Sequence, residues 1–349
     1  MKSSLVPPLV TPFATPAATA RVRQDLQEAN LELASGRHAD LGLTLAGRSS
    51  LLISTRGQEV LFDSLKTGID ISATRLQVAQ QSLQMASDGA QSLLKSLAPM
   101  LSGQVEPQQV AAHARSLLTE FVNAINATAQ GSYVFGGMNL TEQPLMDYFA
   151  EPLSAARGAV EAAFATRFGF APGDAAAASI SAADMASFLD NDFAPLFDAV
   201  QWDVLWSQAT DNGLRAPVGL DETVEATASA NDPAMRKVAM AYVMVAGLGI
   251  EALNASARQE LAERALATLG EGIAGIDRLR GDIGFRQERI ERASERLQAQ
   301  RNMVEKEIAG MEQVDLHAVA ARVNDLTLRL ETSYTLTGRL QKLTLLNFL

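Results

Sequence analysis

DLHAVAARVNDLTLRLETSYTLTGRLQKLTLLNFL, residues 315–349, decides how the rest of the chain is read. Apolar residues recur at Val319, Val323, Leu326, Leu330, Tyr334, Leu340 and Leu343, in steps close to three and four that lay a stripe along one helical face. The pattern does not fade, because Leu345, Leu346, Phe348 and Leu349 are as apolar as its middle. Terminal residues are usually polar and frayed, so a stripe of this kind implies burial against another chain.

Working outward, 349 residues are enough for two or three domains, and 47% hydrophobic content is that of a globular protein. Only 5% of the residues are aromatic, few for filling a compact core. The formal charge of −11 argues against nucleic acid, anionic membranes and acidic substrates as partners, since each needs a positive field. The absence of cysteine excludes disulfides, thiolate metal sites and cysteine nucleophiles. Met1 and Lys2 followed by Leu5, Val6, Leu9 and Val10 superficially resemble a signal peptide. Pro7, Pro8, Pro12 and Pro16 break any apolar helix there, so the expectation is an extended or disordered leader that is not cleaved. Val238–Ile250 is the most apolar run and is too short to span a bilayer; it reads as a buried helix.

After the leader, Val22, Leu26, Ala29 and Leu33 share a helical face that Gly36 ends. Gly36 to Gly47 reads as an irregular connector. From Leu65 through Ile69, Leu76, Leu83, Ala90 and Leu97 the spacing is that of a coiled-coil seam, predicting a helix over about 50–98 that Pro99 and Gly103 stop. Pro107 starts a returning helix up to about Gln130. Residues 131–231 change character: both tryptophans, more proline and glycine, helical stretches at 155–168 and 182–189, and a strand-like Thr223–Ala228 mark a small insert. Asn231 or Asp232 then caps a helix with Pro233 in its first turn. Leu269, Ile276, Ile283, Ile290, Leu297, Val304 and Met311 recur every seven residues, predicting a helix over 257–311 that needs lateral neighbours because its second seam position is often polar. The fold class expected is mainly α, an elongated bundle of long antiparallel coiled-coil-like helices from both chain ends with a small mixed α+β insert in the middle.

Chemistry-bearing patterns are sparse. Gly270, Gly272 and Gly275 fit G-x-G-x-x-G, but no strand precedes them and the helical stripe runs through them, so close helix packing is the expectation. His38, His113 and His317 are isolated, without partners at metal-ligand spacing. Trp202 and Trp206 read as core rather than as the lining of a catalytic pocket. The mixed charges of residues 287–292 read as a solvated helix face. No enzyme activity, cofactor or metal is expected.

Three segments resemble the flagellin and hook-associated protein superfamily. Leu33-Ala34-Ser35-Gly36-Arg37 resembles its "L-S-S-G-x-R" segment, and Gly131-Ser132-Tyr133-Val134-Phe135-Gly136-Gly137 resembles the "G-x-Y-x-F-G/S-G" motif of the hook-associated junction branch. Asp315, Ser333-Tyr334 and Leu345-Leu346-Asn347-Phe348-Leu349 are similar to that branch's last helix and its "S-L-x-N-Y/F-L" end. The chain departs from the pattern in its proline-rich leader and in His38–Gly42, where the family has "S-D-D-P/A". The resemblance implies a structural component joining hook to filament, or alternatively a filament flagellin. It would be exported unfolded by the flagellar type III pathway and located outside the cell. Implied partners are a ring of identical subunits, another hook-associated protein, flagellin and an export chaperone. Residues 1–36 and 313–349 would form an inner core that is unfolded in the free subunit. Residues 37–143 and 232–312 would form the two halves of a long helical domain, and 144–231 an outer insert. The assembly residues would be Val22, Leu26, Leu33, Val323, Leu326, Leu330, Leu340, Leu346, Phe348 and Leu349.

Overall fold

A computed structural model describes residues 16–346, with side chains for 17–339. The chain is mainly α, with long helices and two antiparallel two-stranded sheets among the described residues. Helix α1 spans Pro16–Ser35 and ends at Gly36, whose positive φ of 69° suits a residue without Cβ. The connector that reads as irregular contains a short helix, α2 (Leu41–Leu45), because the Asp40 side chain accepts from the Leu43 N–H and caps it. Helix α3 (Ser49–Leu101) runs past the expected end near residue 98, carrying Pro99 in its last turn, and the expected turn at Gly103, with φ 73°, closes it.

Helix α4 (Pro107–Ile125) is shorter than its sequence pattern suggests. Strands β1 (Thr128–Ala129) and β2 (Ser132–Tyr133) follow as a tight hairpin, with Gln130 at φ 51° and Gly131 at φ 78° between them. Positive φ at both central residues is what a two-residue hairpin turn requires, and Gly131 meets it without strain. The insert contains α5 (Ala155–Phe168), α6 (Ala182–Phe188), α7 (Ala199–Leu205), and the hairpin β3 (Arg215–Pro217) with β4 (Thr223–Glu225). Helix α8 (Pro233–Gly247) is capped by Asp232, followed by α9 (Ala255–Glu312) and α10 (Leu316–Leu346). Proline at the first turn of α4 and α8 costs no hydrogen bond, since those N–H groups have no helical partner.

The chain divides into two compact units, residues 1–62 with 299–349, and residues 63–298. In the second unit, few aromatics suffice because they are gathered in one place. Trp202 and Trp206 stack at 5.1 Å between ring centroids, Tyr148 stacks on Trp206 at 5.4 Å, and Phe197 lies 5.6 Å from Trp206. Phe164, Phe188 and Phe193 extend the cluster, all buried. Both tryptophans are therefore core, held by the off-centre ring contacts that aromatic quadrupoles favour.

The Gly131–Gly137 segment joins α4 to the strand-like residues leading into α8. Val134 and Phe135 are fully buried. The Ala228 and Ala230 N–H groups donate to their carbonyls, and the Arg75 guanidinium donates to the Tyr133 carbonyl at 2.7 Å. Gly137 has φ 66°, and a Cβ there would fall 2.2 Å from the Thr210 carbonyl oxygen. Gly272 and Gly275 lie mid-helix, where Cβ atoms would fall 2.7 Å from Val238 Cγ2 and 2.6 Å from Ala234 Cβ. Those two glycines let α9 approach α8, whereas Gly270 faces open space.

Candidate assembly interface

The first unit brings the two chain ends together as an antiparallel helix pair. The Thr19 and Ser333 hydroxyls hydrogen-bond at 3.0 Å, the Arg23 guanidinium lies 5.7 Å from the Tyr334 ring centroid, and Arg322 sits 3.6 Å from Glu32. These pairs run in opposite directions along the chain, a register that sets Leu26 near Leu326 and Val22 near Leu330. Ala29, Val319 and Leu326 are buried, and Val22, Leu26, Val323 and Leu330 are half-buried. Leu33 stands exposed, as do Leu31, Leu328, Tyr334 and Leu336. Leu340 and Leu346 have side chains outside the described residues, and Phe348, Leu349 and the leader lie outside them altogether.

A brace that the sequence reading does not name fixes the root of this pair. Arg37 bridges Gln313 in antiparallel fashion; the His38 N–H donates to the Glu312 carbonyl at 2.9 Å and the Val314 N–H to the Gly36 carbonyl at 3.1 Å. The Glu312 carboxylate, 1% exposed, accepts from Arg56 Nε at 2.8 Å and lies 3.3 Å from Arg37. Glu32 accepts from the Ala39 N–H at 3.2 Å, with His38 Nδ1 at 3.6 Å. Two carboxylates buried at one root would be costly alone, and cations on each offset that cost. Only Arg37, the last residue of the Leu33–Arg37 motif, signals the brace in the sequence. Asp315 then restarts the helix by accepting from the His317 and Ala318 N–H groups.

A helix pair buries one face of each partner and leaves the other in water. Isolated helices are marginal, and most of their stability comes from packing an apolar face. Here the face away from the seam also carries large apolar side chains, Leu31 and Leu328 among them. Such a pair suits association with further helices of the same kind.

Residues 266–349 match the family model of the bacterial flagellin C-terminal helical region. By its C-terminal region, the chain is flagellin-like. No curated protein sequence matches it. Among solved structures, a chain named as a flagellar hook-associated protein of Vibrio parahaemolyticus shares its fold at TM-score 0.51 and 10% identity, over 76% of this chain and 97% of that one. Bacillus cereus FlgL superposes with TM-score 0.48 and 13% identity, over 73% of this chain and 99% of that one.

No group of three or more histidine or acidic residues is placed to hold a metal ion among the described residues. A cleft of about 370 Å³ beside Trp202 is lined by five carboxylates: Glu225 pairs with Arg286 at 3.3 Å, Asp211 accepts from Asn231, Asp232 caps α8, and Asp203 and Asp282 complete the set. His113 Nε2 lies 3.0 Å from the Ser92 hydroxyl, and His317 is exposed at the start of α10. No described helix is long and apolar enough to cross a membrane.

Proposed function

We propose that the chain is a structural axial subunit of the bacterial flagellum, acting at the junction of hook and filament without enzymatic activity. The observation that carries this is the α1–α10 pair, apolar on both its seam and its outer face, whose α10 lies within the region matching the flagellin C-terminal model. Identical copies would close a ring by packing these pairs, with Val22, Leu26, Leu33, Val323, Leu326 and Leu330 contributing, together with Leu340, Leu346, Phe348 and Leu349. Ordering the ends on assembly costs conformational entropy that burial of those faces offsets. The nested five-segment division set out from the sequence is the domain plan that goes with this reading. Export through the flagellar type III pathway, a chaperone for the ends before assembly, and contacts with a second hook-associated protein and with flagellin complete it.

Deleting Leu340–Leu349 tests the terminal-helix role: the truncated chain keeps a folded second unit and no longer enters flagella. Incorporation of the truncated chain overturns the reading. The alternative, a filament flagellin, is favoured by the same flagellin match. A deletion strain separates the two, since loss of a junction subunit leaves hooks without filaments. Long filaments grown from the purified chain alone select the flagellin.

A further inference from the structure

The α1–α10 pair is packed unevenly along its length. Its buried residues lie in the root half, Ala29 and Glu32 on α1 and Val319 and Leu326 on α10. From 17 to 28 on α1 and from 327 to 339 on α10 the side chains are half-buried or exposed, and none is buried. The bonds change in the same direction. At the root the main chain itself is tied, the Val314 N–H donating to the Gly36 carbonyl and the His38 N–H to the Glu312 carbonyl, while the buried Glu32 carboxylate accepts from the Ala39 N–H. Toward the tip the links among the described residues run through side chains, Thr19 to Ser333 and Arg23 over Tyr334.

Joining two distant segments as a helix pair costs loop closure and helix nucleation before packing offsets either. The root meets both requirements within one subunit. Arg56 of α3 donates from Nε to the Glu312 carboxylate at the end of α9, so residues 256 positions apart are joined where α1 ends and α10 begins. Gly36 at positive φ ends α1 there, and the Asp315 carboxylate accepts from the first N–H groups of α10, which fixes its opening turn. The tip has neither aid. Helical turns with few buried contacts are the first to open.

We infer that the brace is a folding nucleus for the terminal helices. In the free chain the root of the pair, residues 29–39 with 311–326, is already folded and the tip is open; entry into the flagellum then zips the pair from root to tip. Arg56 is the positioning residue of this device, because it acts on α1 and α10 through Glu312. The folded root is a property of the chain alone, whereas the zipping step rests on the axial reading. That reading is narrowed by it, since the order gained on assembly belongs to the tip.

Hydrogen exchange of the free full-length chain is the test. Amides of 320–326 are expected to exchange at least about tenfold more slowly than those of 330–339, and equal rates overturn the nucleus. R56A is expected to bring 320–326 to the rate of the tip while α5 and α8 keep their protection, and R56K, which keeps the cation, to restore most of the difference. Root protection unchanged in R56A overturns the part given to Arg56. Incorporation into flagella reads the second step: R56A is expected to enter at least about tenfold less than R56K, a loss within the cost of a fresh helix nucleus. Equal incorporation of the two despite a melted root overturns the zipping. A parent chain with a protected root that never enters flagella removes the axial reading and leaves the folded root standing.

Discussion

Glu32 of the N-terminal helix and Arg322 of the C-terminal helix face each other at 3.6 Å, tying together residues from opposite ends of the chain. Around that pair the seam is selective: Leu326 is 7% exposed, whereas Leu328, two positions on and so across the helix, is 63% exposed. Leu326→Ala removes buried packing and is expected to destabilise the helix pair by about 2–3 kcal/mol. Leu328→Ala is expected to leave stability within about 0.5 kcal/mol while lowering incorporation into flagella. Amide exchange of α10 in the assembled state reads the first effect and an incorporation assay the second. Equal effects of the two substitutions on exchange would contradict a seam with a free outer face.

The brace at the root predicts an asymmetry. Arg56→Ala leaves the buried Glu312 carboxylate with only the largely exposed Arg37, and is expected to cost about 1–3 kcal/mol after allowing for solvent around both arginines. Glu312→Gln leaves two cations that water can reach, and is expected to cost less. Urea unfolding followed through a probe on the first unit ranks the pair. A larger loss for Glu312→Gln would show that the arginines, not the carboxylate, depend on the contact.

Much of this was legible in the sequence, because helices announce themselves by period. The seven-residue recurrence from Leu269 to Met311 predicted α9 to within two residues at each end, and Ala155–Phe168 is the helix its pattern promised. The losses came where a side chain or a turn overrides the period. The apolar alternation of α4 continues past Ile125, yet Gln130 and Gly131 at positive φ turn the chain into a hairpin. Asp40 converts a glycine-rich connector into a capped turn of helix. The ion pairs of Glu312 were invisible because Arg37 and Arg56 are more than 250 positions away in the chain. Of the assembly residues named from the sequence, Leu326 joins the buried seam and Leu33 faces solvent. A stripe read at three-and-four spacing does not say how wide a face the partner helix covers.

Tyr148 and Tyr242 have buried hydroxyls without hydrogen-bond partners, and burial raises both above the ordinary tyrosine range, with Glu161 adding to the first and Glu120 to the second. Below pH 10 the phenol is neutral folded and unfolded, so it imposes no pH dependence. Above that, the unfolded chain loses the proton while the folded one keeps it, and stability falls as pH rises. The Tyr148→Phe and Tyr242→Phe double variant is expected to flatten that alkaline decline. At neutral pH it should be neutral or more stable by about 1 kcal/mol, because it deletes two orphaned buried polar groups. Thermal unfolding at pH 8 and pH 11 checks both expectations, and an unchanged alkaline slope would point to other groups.

The glycines of the Gly131–Gly137 motif separate two kinds of cost. At Gly131 the backbone is left-handed and the surroundings are open, so Gly131→Ala bears only the conformational penalty of about 1–2 kcal/mol. At Gly137 the same handedness is combined with a Cβ 2.2 Å from the Thr210 carbonyl oxygen and 2.5 Å from its hydroxyl. The Thr210 segment is itself pinned, since its N–H donates to the Gly136 carbonyl and its carbonyl accepts from Ser229, so it cannot yield without losing hydrogen bonds. Gly137→Ala is therefore expected to cost about 3 kcal/mol or more. At about 2–4 °C per kcal/mol for a unit of this size, the two variants separate by several degrees in thermal unfolding. Equal melting temperatures would mean that the Gly137 turn moves freely, and that the motif is not what fastens α4 to the chain leading into α8.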